Sequence, residues 1–288
     1  MNTATTPGLM ASFVSAARQA LQWRLLLLWL LALALPTLLT ILPLWMVLGG
    51  ALDKSLLADK LVEGFDPAVL VELIGGLGQR GYSANSGFAG VAMMILLLPW
   101  LSGTLIAVAR STVVLSFVGL LQGGLREYGR MARLWLWALL PLGLALVIGG
   151  ALAGAAKEHG QTLVLESDAE WLARAALAVG ALVFLLAHAT LDAARARLAL
   201  EPQRRSVLKA WWLATKELLR RPGRILLYVG ITLLGLALAG LIGLLRIQVA
   251  PVGAASFAAA LLLAQLIALA LVWMRCTRML ALVNAGRN

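Results

Sequence analysis

The chain has 288 residues, 61% of them hydrophobic and only 13% charged, with a net charge of +11 and a mean hydropathy of +0.91. A soluble globular domain is about 45–50% apolar and about 25% charged, so this composition excludes an ordinary soluble fold: several apolar runs of roughly 20 residues need lipid to cover them. One cysteine, Cys276, and two distant histidines, His159 and His188, leave no pair for an intrachain disulfide and no metal-ligand spacing; no metal or cofactor is expected.

Residues 9–24 place Leu9, Phe13, Ala17 and Leu21 on one helical face and Ser15, Arg18 and Gln22 on another. That pattern predicts a short helix on the membrane surface, so residues 1–24 read as a cytoplasmic interfacial segment ahead of a single membrane domain over 25–288. The first span is 25–48. Its apolar core is much longer than the roughly 7–15 residues of a signal-peptide core, and Pro36 and Pro43 predict a kink that neighbouring helices make tolerable. Residues 51–87 are acidic on balance, with Asp66-Pro67 as a helix start and Gly75-Gly76 as a stop, which predicts a structured outer loop.

The second span is 88–109. Residues 111–125 are too short to cross and are flanked by Arg110 and Arg126, so they read as a continuation of that span or as a re-entrant, interfacial segment. The third span is 134–155, with Trp135 and Trp137 as interface anchors. Ser167 and Glu170 have capping-box spacing before the fourth span, 171–193. A basic stretch follows, then the fifth span at 225–245, where Gly235 and Ala239 have small-xxx-small spacing, and the sixth at 254–273. Gln265 is the one amide deep in that span, and with Thr190 and Thr232 it is expected to hydrogen-bond between helices.

Six spans place Arg18 and Arg24, the segment from Arg110 to Arg133, that from Asp192 to Arg224, and Arg275, Arg278 and Arg287 all on one side. The positive-inside rule makes that side cytoplasmic, with both termini inside. Five or seven spans would leave a basic segment on the wrong side. The expected fold is therefore all-α: a polytopic transmembrane helix bundle with six spans and additional interfacial helices. With its arginines between apolar runs, the positive charge answers to anionic lipid of the inner leaflet and not to nucleic acid.

His188, Asp192 and Arg195 lie at i, i+4 and i+7, on one face of the fourth helix near its cytoplasmic end. Two readings stay open. An ionisable residue at membrane depth suggests a proton- or ion-linked site, with His188 titrating and Asp192 biasing it; the alternative is that Asp192 pairs with arginines at the interface and His188 is a packing residue. Residues 204–221 place Val207, Leu208, Trp211, Trp212, Leu218 and Leu219 on one face and Arg205, Lys209, Lys216 and Arg220 on the other, a helix half-sunk among headgroups. Arg204, Arg205, Lys209, Trp211, Trp212, Lys216, Arg220 and Arg221 are its candidate lipid contacts, although a partner protein or a second copy of the chain could use the same face.

The run Leu191-Asp192-Ala193-Ala194-Arg195, followed by Arg205-Ser206-Val207 and then Leu227-Tyr228, resembles a broad group of uncharacterised six-span integral membrane proteins of bacteria, in which an Asp-x-Ala-Arg-like motif ends a span before a basic helix. The Glu63-Gly64-Phe65-Asp66 turn is similar as well. The resemblance implies no activity. The sequence holds no GxxxxGK[ST], G-x-S-x-G, H-E-x-x-H or kinase-like set. The expectation is a multi-pass protein of a bacterial inner membrane, a non-catalytic scaffold, assembly or lipid-interacting component. A transporter or channel subunit using the His188 and Asp192 face is the first alternative, and a membrane enzyme acting on lipids the second.

Overall fold

The computed structural model describes residues 8–52, 75, 85–163, 165–250 and 253–287. These form helices and no strand: α1 Leu9–Ala20, α2 Trp23–Leu52, α3 Asn85–Arg110, α4 Phe117–Gly160, α5 Glu166–Leu200, α6 Val207–Arg220, α7 Pro222–Ile247 and α8 Ala254–Gly286. Six of them, α2 to α5 with α7 and α8, are long and apolar enough to cross a membrane. The chain is an all-α, multi-pass membrane protein. The expected outer loop lies outside the described residues apart from its ends and Gly75.

Two units divide the contacts, one of Met1–Leu28 with Pro99–Asn288 and one of Trp29–Leu98. In the second, α2 runs without interruption through Pro36 and Pro43. Two threonines bond back to the carbonyls one turn earlier, Thr37 to Leu33 at 2.9 Å and Thr40 to Pro36 at 3.0 Å, the local means by which a span containing proline keeps its polar groups satisfied. Gly90 of α3 sits on this turn; a Cβ there would lie 2.1 Å from Thr40 Oγ1 and 2.9 Å from the Pro36 carbonyl.

In the larger unit the helices run well past the apolar cores read from the sequence. At 1.5 Å per residue, the 44 residues of α4, 35 of α5 and 33 of α8 measure about 66, 53 and 50 Å, against a hydrocarbon core of about 30 Å. The additional turns are the charged ones, at the end where α3, α5 and α8 finish and α4 and α7 begin. They stay helical because their charges are paired with each other and with helix ends. The outward faces are apolar, with Leu136, Leu139, Leu140, Leu144 and Val147 of α4 each between 57% and 68% exposed. A soluble surface does not carry such a band.

Residues 111–125 do not extend α3, which ends at Arg110, and they form no separate element. Residues 111–116 are a non-helical link, and Ser116 then caps α4 by accepting the Gly119 N–H at 3.2 Å. Gly103 and Gly124 let α3 and the start of α4 meet closely; a Cβ on Gly103 would lie 2.7 Å from the Gly124 carbonyl. The capping box expected at Ser167 does not form. The helix α5 already begins at Glu166, with Leu165 at the cap position and no side-chain cap, so Ser167 lies inside the first turn. Helix α1 packs on α8 through its small residues Ser12, Ala16 and Ala20, while Met10, Val14 and Leu21 point outward. Small side chains let the helices approach, and the Trp273 indole reaches the Ala17 carbonyl at 3.3 Å. Between α7 and α8, Gly253 takes φ +86°, a conformation open to glycine.

Candidate functional site

The structure keeps His188, Asp192 and Arg195 together near the end of α5 and adds a group from the next span. Arg195 Nη1 donates to Asp192 Oδ1 at 2.5 Å, and the Tyr228 hydroxyl of α7 donates to Asp192 Oδ2 at 2.8 Å. His188 Nδ1 lies 2.8 Å from the same hydroxyl and 3.3 Å from Oδ2. Asp192 is 2% exposed and Tyr228 1%. From α8, the Arg278 guanidinium stands over the Tyr228 ring at 4.8 Å and donates to Thr232 Oγ1 at 3.3 Å, while that hydroxyl donates to the Tyr228 carbonyl at 2.8 Å. Both carboxylate oxygens of Asp192 are therefore engaged, and three helices converge on one buried acid. The ion pair itself lies within α5, and the Tyr228 hydroxyl is what ties Asp192 to α7; loss of one partner of such a buried pair is strongly destabilising.

Beyond this cluster the arginines bind helix C-termini. The last carbonyls of a helix lack partners and carry the negative end of its dipole, so a cation with several donors suits them. Arg110 donates to the Ala199 carbonyl at 2.9 Å, the Leu198 carbonyl at 2.7 Å and Glu127 at 2.6 Å. Arg130 pairs with Glu127 and reaches the carbonyls of Leu198 at 3.2 Å and Pro202 at 2.8 Å. Arg224 joins Glu217 to the Ala285 carbonyl, at 2.8 and 2.6 Å, and Arg287 donates to the Ala109 carbonyl at 2.5 Å. The C-termini of α5 and α8 are held by arginines of other helices, and that of α3 by Arg287, just past the end of α8. The sequence reading counted these residues only as topological charge.

A chain of ion pairs, Arg204 to Glu201 to Arg197 to Glu217 to Arg224, runs along a cavity of about 230 Å³ whose apolar lining includes Leu200, Leu218 and Leu282. Arg204, a candidate lipid contact, is thus engaged by Glu201.

Helix α6 has two apolar faces where one was expected. Val207, Ala210, Ala214 and Leu218 are buried against the bundle, and Ser206 caps the helix through the Lys209 N–H at 3.3 Å. The two tryptophans separate. Trp211 faces inward, donating to Thr190 Oγ1 at 3.0 Å and meeting Trp137 edge to face at 5.2 Å, whereas Trp212 is 64% exposed. Leu208, Trp212 and Leu219 form the outer apolar stripe, among the exposed Arg205, Lys209, Lys216, Arg220 and Arg221. Trp137, Leu208, Lys209, Trp211, Trp212 and Leu213 line an open groove of about 450 Å³, and the buried Trp137 indole N–H has no acceptor among the described residues.

Tyr228 and Arg278 are the members of the buried cluster that pattern reading missed. One signal was present: Tyr228 is one of only three tyrosines and stands at the mouth of a span, where a phenol needs a polar partner. Comparison with protein-family descriptions, with curated proteins and with solved structures yields no match.

Proposed function

We propose that the chain is a non-catalytic, lipid-interacting scaffold of a bacterial inner membrane, with both termini cytoplasmic and α6 lying among the anionic headgroups of the inner leaflet. The observation that carries this reading is the outer side of α6, where Lys209, Lys216 and Arg220 flank a bulky apolar stripe, with the exposed Arg205 and Arg221 just beyond its two ends, while its inner side is fixed to the bundle. Each basic residue near an anionic surface contributes about 1 kcal/mol, and apolar insertion adds to that without regard to headgroup charge. A scaffold role is further supported by Asp192, whose two oxygens serve Arg195 and Tyr228.

The test uses the full chain in nanodiscs of mixed neutral and anionic lipid, with the lipid that survives gentle extraction identified by native mass spectrometry. The wild type is expected to retain anionic lipid preferentially. Replacing Lys209, Lys216 and Arg220 with glutamine is expected to remove most of that preference, and equal retention by the two proteins would refute the reading. The charged cavity beside Arg197 and Glu217 favours one other reading, a transporter subunit with its polar site at this end. In that case Glu217→Gln, which removes a carboxylate lining the cavity, abolishes a solute- or pH-dependent phenotype at unchanged protein abundance.

A further inference from the structure

Gln265 stands twelfth in α8, about 17 Å along the helix from Ala254 at 1.5 Å per residue, which is near the middle of a hydrocarbon core of about 30 Å. It does not hydrogen-bond between the helices of its own chain. Its side chain is exposed on the outward side of α8 and has no hydrogen-bond partner among the described residues. Around it on that side lie Ala254, Ala258, Leu261 and Leu262, the two leucines 51% and 65% exposed. Farther along the same side, Ala268 and Leu269 are already half-buried, so the free face is the first three turns of the helix. An amide moved from water to hydrocarbon without a partner costs about 4–8 kcal/mol, and glutamine is too short to reach the headgroups from this depth. Lipid tails therefore do not suffice to cover this face.

We propose that two copies of the chain pair in the membrane through this face, Gln265 against Gln265. The primary amide both donates and accepts, so it is complementary to itself. A two-fold axis along the membrane normal places identical residues at identical depth, whereas an unrelated partner would need its own polar group at that depth. Ala254 and Ala258 on the same side allow the two backbones to come close, the geometry in which interhelical hydrogen bonds form in lipid. The outward apolar residues from Leu136 to Val147 of α4 and those of α7 have no amide among them and are left to lipid.

The test uses the full-length chain with Lys157→Cys as the label site and Cys276→Ser to remove the buried thiol, reconstituted in vesicles at falling protein-to-lipid ratio. Energy transfer between donor- and acceptor-labelled copies is expected to exceed that of random proximity and to decline on dilution as a monomer–dimer equilibrium. Gln265→Leu should weaken the dimer roughly threefold to thirtyfold, the range of single interhelical hydrogen bonds, and Gln265→Asn should keep most of the affinity. In the Cys276→Ser chain, Ala258→Cys is expected to cross-link to itself under mild oxidation and Leu233→Cys, 61% exposed on α7, is not. Transfer no greater than random, a Gln265→Leu chain that pairs as tightly as the wild type, or cross-linking at Leu233→Cys would each overturn the proposal. Because Gln265 is exposed, the Leu variant keeps its fold, which an unchanged or raised SDS-unfolding midpoint confirms.

Discussion

Replacing Asp192 with asparagine separates a structural cluster from a working one by the sign of a stability change. Asp192 holds Arg195 at 2.5 Å and the Tyr228 hydroxyl at 2.8 Å, with Asp192 and Arg195 both nearly inaccessible to solvent. Removing one partner of a buried ion pair destabilises by about 3–5 kcal/mol. The amide of asparagine keeps one acceptor but turns a donor toward either Arg195 or Tyr228, so a loss of about 3 kcal/mol is expected. Tyr228→Phe loses the hydroxyl's bonds to Asp192 and His188 but retains the ring under Arg278, and should lose about 2–3 kcal/mol, a hydrogen bond to a charged group plus one to an imidazole. The double variant should then lose less than the sum by about 1 kcal/mol, since the two residues share one contact. Reversible unfolding in mixed micelles with increasing SDS, followed by the fluorescence of the ten tryptophans, measures all three. An Asp192→Asn protein more stable than the wild type would refute this reasoning, because an acid kept at a cost in stability is the mark of a functional site.

Arg110→Lys keeps the charge but loses the fork that spans Leu198, Ala199 and Glu127; it should lower the SDS midpoint by the equivalent of about 1–3 kcal/mol, and Arg110→Ala by more. Gly124→Ala should destabilise by about 1–3 kcal/mol, because its Cβ would meet the Trp100 ring at 2.6–2.7 Å. Gly129→Ala, in the same helix with nothing within 4 Å, should instead gain about 0.4–1 kcal/mol in the same assay. Reporter fusions after Arg133 and after Arg205 should report cytoplasm and fusions within 53–80 the opposite side; a cytoplasmic signal from 53–80 overturns the six-span orientation.

The spans were legible because lipid imposes one simple demand, an unbroken apolar run of sufficient length, and the chain meets it six times. Their ends were not legible. Pattern reading stops a membrane helix at its first charge, but the charges here are paired, Arg195 with Asp192 one turn back and Arg197 with both Glu201 and the distant Glu217, so α5 continues to Leu200. Distribution over helix faces was lost for a related reason. In α1 and α6 nearly every side carries an apolar residue, and only contact with α8 or with the bundle decides that Ser12, Ala16 and Ala20, or Val207, Ala210 and Ala214, turn inward. Spacing within one helix joined His188, Asp192 and Arg195. It carried no information about Tyr228, which arrives from a different span after α6 has intervened.

The arginine clamps on helix ends also dictate an order of assembly. Helices inserted one after another meet donors already in place at the ends of α5 and α8, from Arg110 and Arg224, but the Ala109 carbonyl at the end of α3 waits for Arg287, 178 residues later. Long-range closures of this sort come late, after the loops between them have been closed. The end of α3 therefore keeps a backbone acceptor free to water until the last helix is in place, and Arg287 completes that corner of the bundle last.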